Sequence, residues 1–84
     1  MHRQLMNTYK TEFFCVCPIN NIRVKYHLEI TTEETIPVEH ILDQFKRYDS
    51  GFHELIADEL HEKFGGKQTL VADHHGVTIE TTRP

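Results

Sequence analysis

From Ile22 to Thr31 the chain alternates without a break: Ile22, Val24, Tyr26, Leu28 and Ile30 are apolar, and Arg23, Lys25, His27, Glu29 and Thr31 between them are polar. Successive side chains of a strand point to opposite faces, so this pattern predicts a strand with one buried and one solvated side. Tyr9 to Cys17 also follows period two, with Tyr9, Thr11, Phe13, Cys15 and Cys17 on one face and Phe14 and Val16 on the other. Both of its faces read as partly buried. Pro18-Ile19-Asn20-Asn21 supplies turn residues between the two strands, which makes them a hairpin. Residues 1–8 show no periodicity, and the expectation there is a flexible N-terminal segment or one that joins a neighbouring sheet.

The period then changes. Pro37 suits a first helical turn, where its missing N–H costs nothing, and Val38, Ile41, Leu42, Phe45 and Tyr48 form an apolar stripe after it. Asp49-Ser50-Gly51 breaks this helix and offers an N-cap to a second one. The second helix carries Phe52, Leu55, Ile56, Leu60 and Phe64 on its apolar face and stops at Gly65-Gly66. Gln68 to His74 and Val77 to Thr82 read as a further hairpin about His75-Gly76. No repeat, linker or low-complexity segment interrupts this order. The expected architecture is one α+β domain over residues 1–84, ββααββ, with both helices on one face of an antiparallel four-stranded sheet.

Such a sheet has open edges and an uncovered outer face, and a lone core of this size buries only about 60–65% of its unfolded surface. Both points predict a homo-oligomer in which several copies close a barrel. Net charge of −4 argues against general nucleic-acid binding, although Arg23 and Lys25 on one strand face suggest a local anion site. No apolar run approaches a membrane span and the first residues lack the apolar stretch of a signal peptide, so a cytoplasmic protein without membrane contact is expected. Cys15 and Cys17 lie on the same side of a strand about 6.6–7 Å apart, poor geometry for a mutual disulfide, and free thiols are expected. Most of the seven histidines read as solvated surface residues.

Several short sequences carry a resemblance. Cys17-Pro18 after an apolar strand resembles the Cys-Pro of the 7-cyano-7-deazaguanine (nitrile) reductases of queuosine biosynthesis, and Phe52-His53-Glu54 resembles their Phe-His-Glu triplet. Glu54 to Leu60, followed by Val71-Ala72-Asp73-His74, is similar to the corresponding helix and strand of GTP cyclohydrolase I. With the ββααββ order, the chain resembles the tunnelling-fold (T-fold) superfamily over roughly residues 12–83, and the reductases most closely.

The resemblance implies a guanine-like or pterin-like small molecule, gripped at a subunit boundary by a carboxylate early in the second helix, here Glu54. Adjacent ring N–H and amino donors suit the two oxygens of a carboxylate. Read without the resemblance, Glu54 is a solvated first-turn residue favoured by the positive helix end. The resemblance further implies that His53 moves protons and that Cys17 is the nucleophile forming a thioimide with a nitrile carbon, in an NADPH-dependent oxidoreductase. Read alone, His53 is an exposed histidine and Cys17 a small buried side chain. The reductases' Thr-x-Gln-Pro-Asp stretch is replaced by Ile19-Asn20-Asn21-Ile22-Arg23, and their nicotinamide-binding motif falls near Thr35-Ile36-Pro37-Val38-Glu39-His40 without its residues. A non-catalytic tunnelling-fold subunit with an assembly or regulatory role is therefore an alternative, as is a GTP cyclohydrolase-like pterin enzyme. Zinc on Cys15, Cys17, His74 and His75 is not expected, because Cys-x-Cys with His-His is a poor ligand spacing.

Overall fold

The computed structural model describes residues 6–84. The expectation of a flexible segment lies outside the described residues over 1–5, whereas Asn7 and Thr8 already belong to the first strand. The elements are β1 (Asn7–Val16), β2 (Arg23–Thr32), α1 (Val38–Phe45), α2 (His53–Phe64), β3 (Lys67–His74) and β4 (Val77–Arg83). They form the expected α+β, ββααββ fold, an antiparallel sheet in the order β1-β2-β3-β4.

The alternating run of β2 sets the core. Val24, Tyr26, Leu28, Ile30 and Thr32 are all buried, and their ladder partners Phe13 and Cys15 on β1 and Leu70 and Ala72 on β3 continue the same layer. Ile41 of α1 and Ile56, Ala57 and Leu60 of α2 close it from above. Leu60 and Ile30 are fully buried, each contributing about 1.5–3 kcal/mol by leaving water. At the far end of α2, Gly65 turns left-handed and Gln68 Nε2 donates to the carbonyls of Leu60 (3.0 Å) and Gly65 (2.7 Å), which ties the end of the helix to the start of β3. The β3–β4 turn has positive φ at both His75 (55°) and Gly76 (87°), as a two-residue hairpin of primed type requires.

Five details differ from the sequence reading. Phe14 is exposed rather than partly buried, lying 4.1 Å beneath the Arg23 guanidinium, and Lys25 pairs with Glu12 at 2.7 Å. The suggested anion site is thus engaged within the sheet, and the Lys25 ammonium holds the Glu12 carboxyl below its usual range. Val38 and Leu42 of α1 are exposed, while Gln44 is buried with its Nε2 donating to Tyr48 Oη at 2.9 Å. Phe52 and Leu55 are exposed, and His53 takes the inward place. Asp49-Ser50-Gly51 gives α2 no side-chain cap. Its backbone runs beside β1 instead, with Val16 N–H donating to Asp49 O (3.0 Å) and Gly51 N–H donating to Val16 O (3.2 Å).

Candidate functional site

The β1–β2 turn, the β3–β4 turn and the first turn of α2 meet at one end of the sheet. The β1–β2 turn is tightly tied. Cys17 N–H donates to Ile22 O (2.8 Å), Asn21 N–H donates to Cys17 O (2.9 Å), and Asn21 takes a φ of 58°. Ile22 N–H donates to Asn20 Oδ1 (3.1 Å), so the Asn20 amide turns its NH2 to His75 and donates to its Nε2 at 2.6 Å. One hydrogen bond thereby clasps the two turns together.

Beneath this clasp is a cleft of about 460 Å³ whose polar lining is Cys17, His53, Glu54 and His74. Ile19, Phe52, Leu55 and Ile79 give it apolar walls. Three residues singled out in the sequence, Cys17, His53 and Glu54, thus come together from two separate elements. Cys17 is half-buried at the start of its loop, and Glu54 is exposed in the first turn of α2. His53 is buried, with Nδ1 3.4 Å from His74 Nε2 and ring centroids 5.5 Å apart. Its Nε2 is enclosed without a hydrogen bond of sound geometry, although the Leu70 backbone lies near enough to favour a protonated ring.

Burial, and after it the charge of His74, push the His53 pKa below the ordinary histidine value, while Glu54 acts in the opposite direction and Arg83 reinforces the shift. The unfolded chain then binds more protons than the folded one below about pH 6.5. The stability linked to His53 is full above that value and is lost as pH falls through the lowered folded pKa. Thermal unfolding midpoints measured from about pH 7.5 to 5 are expected to decline, and His53→Phe to flatten the decline. Parallel curves for the two proteins would show that His53 does not carry the effect.

Cys15 is a different kind of thiol. It is buried in the core beneath Gly51, and burial raises its pKa, which makes it a poor nucleophile beside the half-buried Cys17. Both cysteines are free. Burial also pushes the Tyr26 phenol, which packs on both His53 and His74, up to about 12. The four zinc-type side chains of the sequence do not gather: Cys15 is in the core and His75 faces Asn20. Among the described residues no group of three or more His, Cys, Asp or Glu is placed to hold a metal ion.

A larger depression of about 830 Å³ lies between the end of α1 and α2, walled by Arg47, Glu59, Glu62 and Lys63 among others. It contains neither a cysteine nor a histidine, and the thiol of Cys17 and the two imidazoles lie at the smaller cleft. His74 is the member of that cleft that sequence reasoning missed as a partner of His53. The signal was present, because Leu70, Ala72 and His74 share the inward parity of β3.

An α+β domain of this fold is already seen in a solved protein. The chain is similar to the crystal structure of the archaeosine synthase QueF-Like in the apo form, with a TM-score of 0.82 and 20% sequence identity, covering 99% of this chain and 94% of that one. No protein-family model matches the chain, and no curated protein matches it. Among the described residues no helix is long and apolar enough to cross a membrane.

Proposed function

We propose that this chain binds a guanine-like heterocycle in the cleft at the end of the sheet, with Glu54 accepting from the donor edge of the ring. The observation that carries this reading is the meeting of Cys17, His53, Glu54 and His74 in one apolar-walled cleft. Apolar walls such as Phe52 and Ile79 suit the faces of a ring, and a carboxylate suits its paired N–H donors. The solved structure that shares the fold is an archaeosine synthase, in keeping with such a ligand. In this reading Cys17 is the nucleophile toward a nitrile carbon, as in the nitrile reductases the sequence resembles, and the histidine pair handles the proton.

The nicotinamide cofactor of those reductases does not fit the matching segment. Ile36 there is buried with its N–H donated to Tyr9 Oη at 2.9 Å, and residues 35–40 contain no lysine or arginine for a phosphate. No hydride step is therefore derived. That mismatch, with the absence of an acid between Cys17 and Glu29, favours a second reading: a binding subunit without reductase activity. A pterin enzyme of the zinc-dependent type is the least supported alternative, given that its ligands do not converge.

Calorimetry with 7-cyano-7-deazaguanine tests the first reading. Glu54→Gln replaces an acceptor oxygen with a donor and is expected to weaken binding by about 1.5–3 kcal/mol, the worth of hydrogen bonds to a charged group. Equal affinity of the two proteins would leave Glu54 as a helix-start charge.

Assembly belongs to the same reading. Among the described residues the β1 edge is paired only near Val16, no strand pairs with the far edge of β4, and Ile19, Phe52, Leu55 and Val77 are exposed around the cleft end. Light scattering at about micromolar concentration is expected to give a closed homo-oligomer, in which copies cover these edges. A monomer that unfolds in one transition would count against it.

A further inference from the structure

We propose that His74 is the residue of this cleft that exchanges protons with the bound ligand, and that His53 is the positioning residue behind it. The ligand in this statement rests on the heterocycle-binding reading; the pairing of the two rings stands without it. His74 Nε2 and His53 Nδ1 are 3.4 Å apart, so one nitrogen carries the shared hydrogen and the other accepts it. Among the described residues His53 makes no other side-chain hydrogen bond. Although it borders the cleft, the residue is only 6% exposed, its Nε2 is enclosed, and Tyr26 packs on it at 5.4 Å. His74 is half-buried in the cleft lining, and among the described residues no hydrogen bond reaches its Nδ1. A proton moving between ligand and His53 therefore crosses His74.

The surroundings of His53 decide which ring holds the shared hydrogen. The Leu70 backbone favours a hydrogen on the buried ring, and Nε2, turned away from His74, is the nitrogen left for it. His53 Nδ1 then keeps its lone pair and accepts from His74 Nε2–H, and His74 Nδ1 is free to take the next proton. The bond to His53 fixes the tautomer of the outer ring, while burial keeps the charge off the inner ring. Of the other charged groups near the pair, Glu54 on α2 favours a cation and Arg83 on β4 opposes it. With a nitrile the step balances. The Cys17 thiol gives its proton to His74 Nδ1, sulfur bonds to carbon as one C–N π bond opens, and His74 returns the proton to the nitrile nitrogen. Nothing is oxidised or reduced.

Imidazole 15N NMR of the ligand-free full chain through a pH titration reads both rings. The expected result is a bare Nδ1 and a protonated Nε2 on His53 near neutrality, with the first added proton appearing at His74 Nδ1. A hydrogen on His53 Nδ1, or protonation of His53 before His74, overturns the proposal. A second arm follows adduct formation with 7-cyano-7-deazaguanine by intact-mass spectrometry. His74→Gln is expected to slow the adduct about 100-fold or more, within the range of general acid–base effects, and His53→Ala about 10-fold, as befits a positioning residue. His53→Asn, which keeps an acceptor near the place of Nδ1, is expected to restore part of the His53→Ala loss. An unchanged rate in His74→Gln, or a greater loss in His53→Ala, removes His74 as the proton carrier. Should the wild type bind no heterocycle, the ligand reading fails and the NMR result alone decides the pair.

Discussion

Replacing Phe13 with alanine is expected to remove about 3–5 kcal/mol of stability, the usual cost of deleting a buried phenylalanine ring. Phe13 is 6% exposed and joins sheet to helix. Its ring stacks on Tyr26 of β2 at 5.1 Å, on Phe45 of α1 at 4.2 Å, and lies 5.9 Å from Tyr48 just beyond that helix. Val38 and Leu42 face solvent, so α1 depends on Ile41, Phe45 and Tyr48 to stay on the sheet. A domain of this length has a net stability of about 4–13 kcal/mol, so the loss is a large share of the whole. Urea unfolding measures it. Phe13→Leu, which keeps most of the volume, is expected to cost about 1–2 kcal/mol. A Phe13→Ala cost below about 1 kcal/mol would show that this ring does not hold α1 on the sheet.

Gly66→Ala is expected to cost about 2–5 kcal/mol, from a left-handed backbone and a collision together. Gly66 has a φ of 71°, and a Cβ there would meet Thr31 O at 2.7 Å and Thr32 Cβ at 3.0 Å. The first of these is backbone at the end of the β2–β3 ladder, held between Lys67 of β3 and Thr8 of β1, and cannot swing aside. Gly65 supplies the control. Its φ is 64° but a Cβ would find nothing within 4 Å, so Gly65→Ala is expected to cost only the conformational part, about 1–3 kcal/mol. Denaturant midpoints for the two variants separate backbone strain from steric contact. A Gly66→Ala protein no less stable than Gly65→Ala would mean that β2 gives way at Thr31.

The hairpins were legible because alternation in a half-buried strand leaves few other choices: Val24, Tyr26, Leu28 and Ile30 are inward as read. Helix faces were less so. On α2 the buried set is His53, Ile56, Ala57 and Leu60, one helical stripe, yet its first member is polar and its neighbours Phe52 and Leu55 are the more apolar choice. The first turn of α2 borders the cleft, where a histidine is buried by Tyr26 and His74 from other elements, and no local pattern reports that. On α1 the same thing happened with Gln44, whose burial depends on the hydroxyl of Tyr48. Cys17 and Glu54 were singled out by resemblance to other proteins. Their meeting in one cleft depends on how the Cys17–Ile22 turn and α2 converge, which spacing along the chain does not encode.

The order β1-β2-β3-β4 also fixes where folding has to wait. Each outer pair is a local hairpin, and such units close in about 1–10 μs. The central pair is different, because Thr31 meets Lys67 only after the chain has looped through both helices. Closing that loop costs entropy before the contacts Leu28–Leu70 and Tyr26–Ala72 return anything, so the two hairpins can each form while the sheet is still in halves. The step that joins them has its register checked at once. A slip of one residue would turn Tyr26, Leu28 and Ile30 toward water and leave α2 with nothing to sit on. Changes at the β2–β3 seam are therefore expected to act on the rate at which the two halves join, whereas changes at the β3–β4 turn act earlier, on the closing of a hairpin.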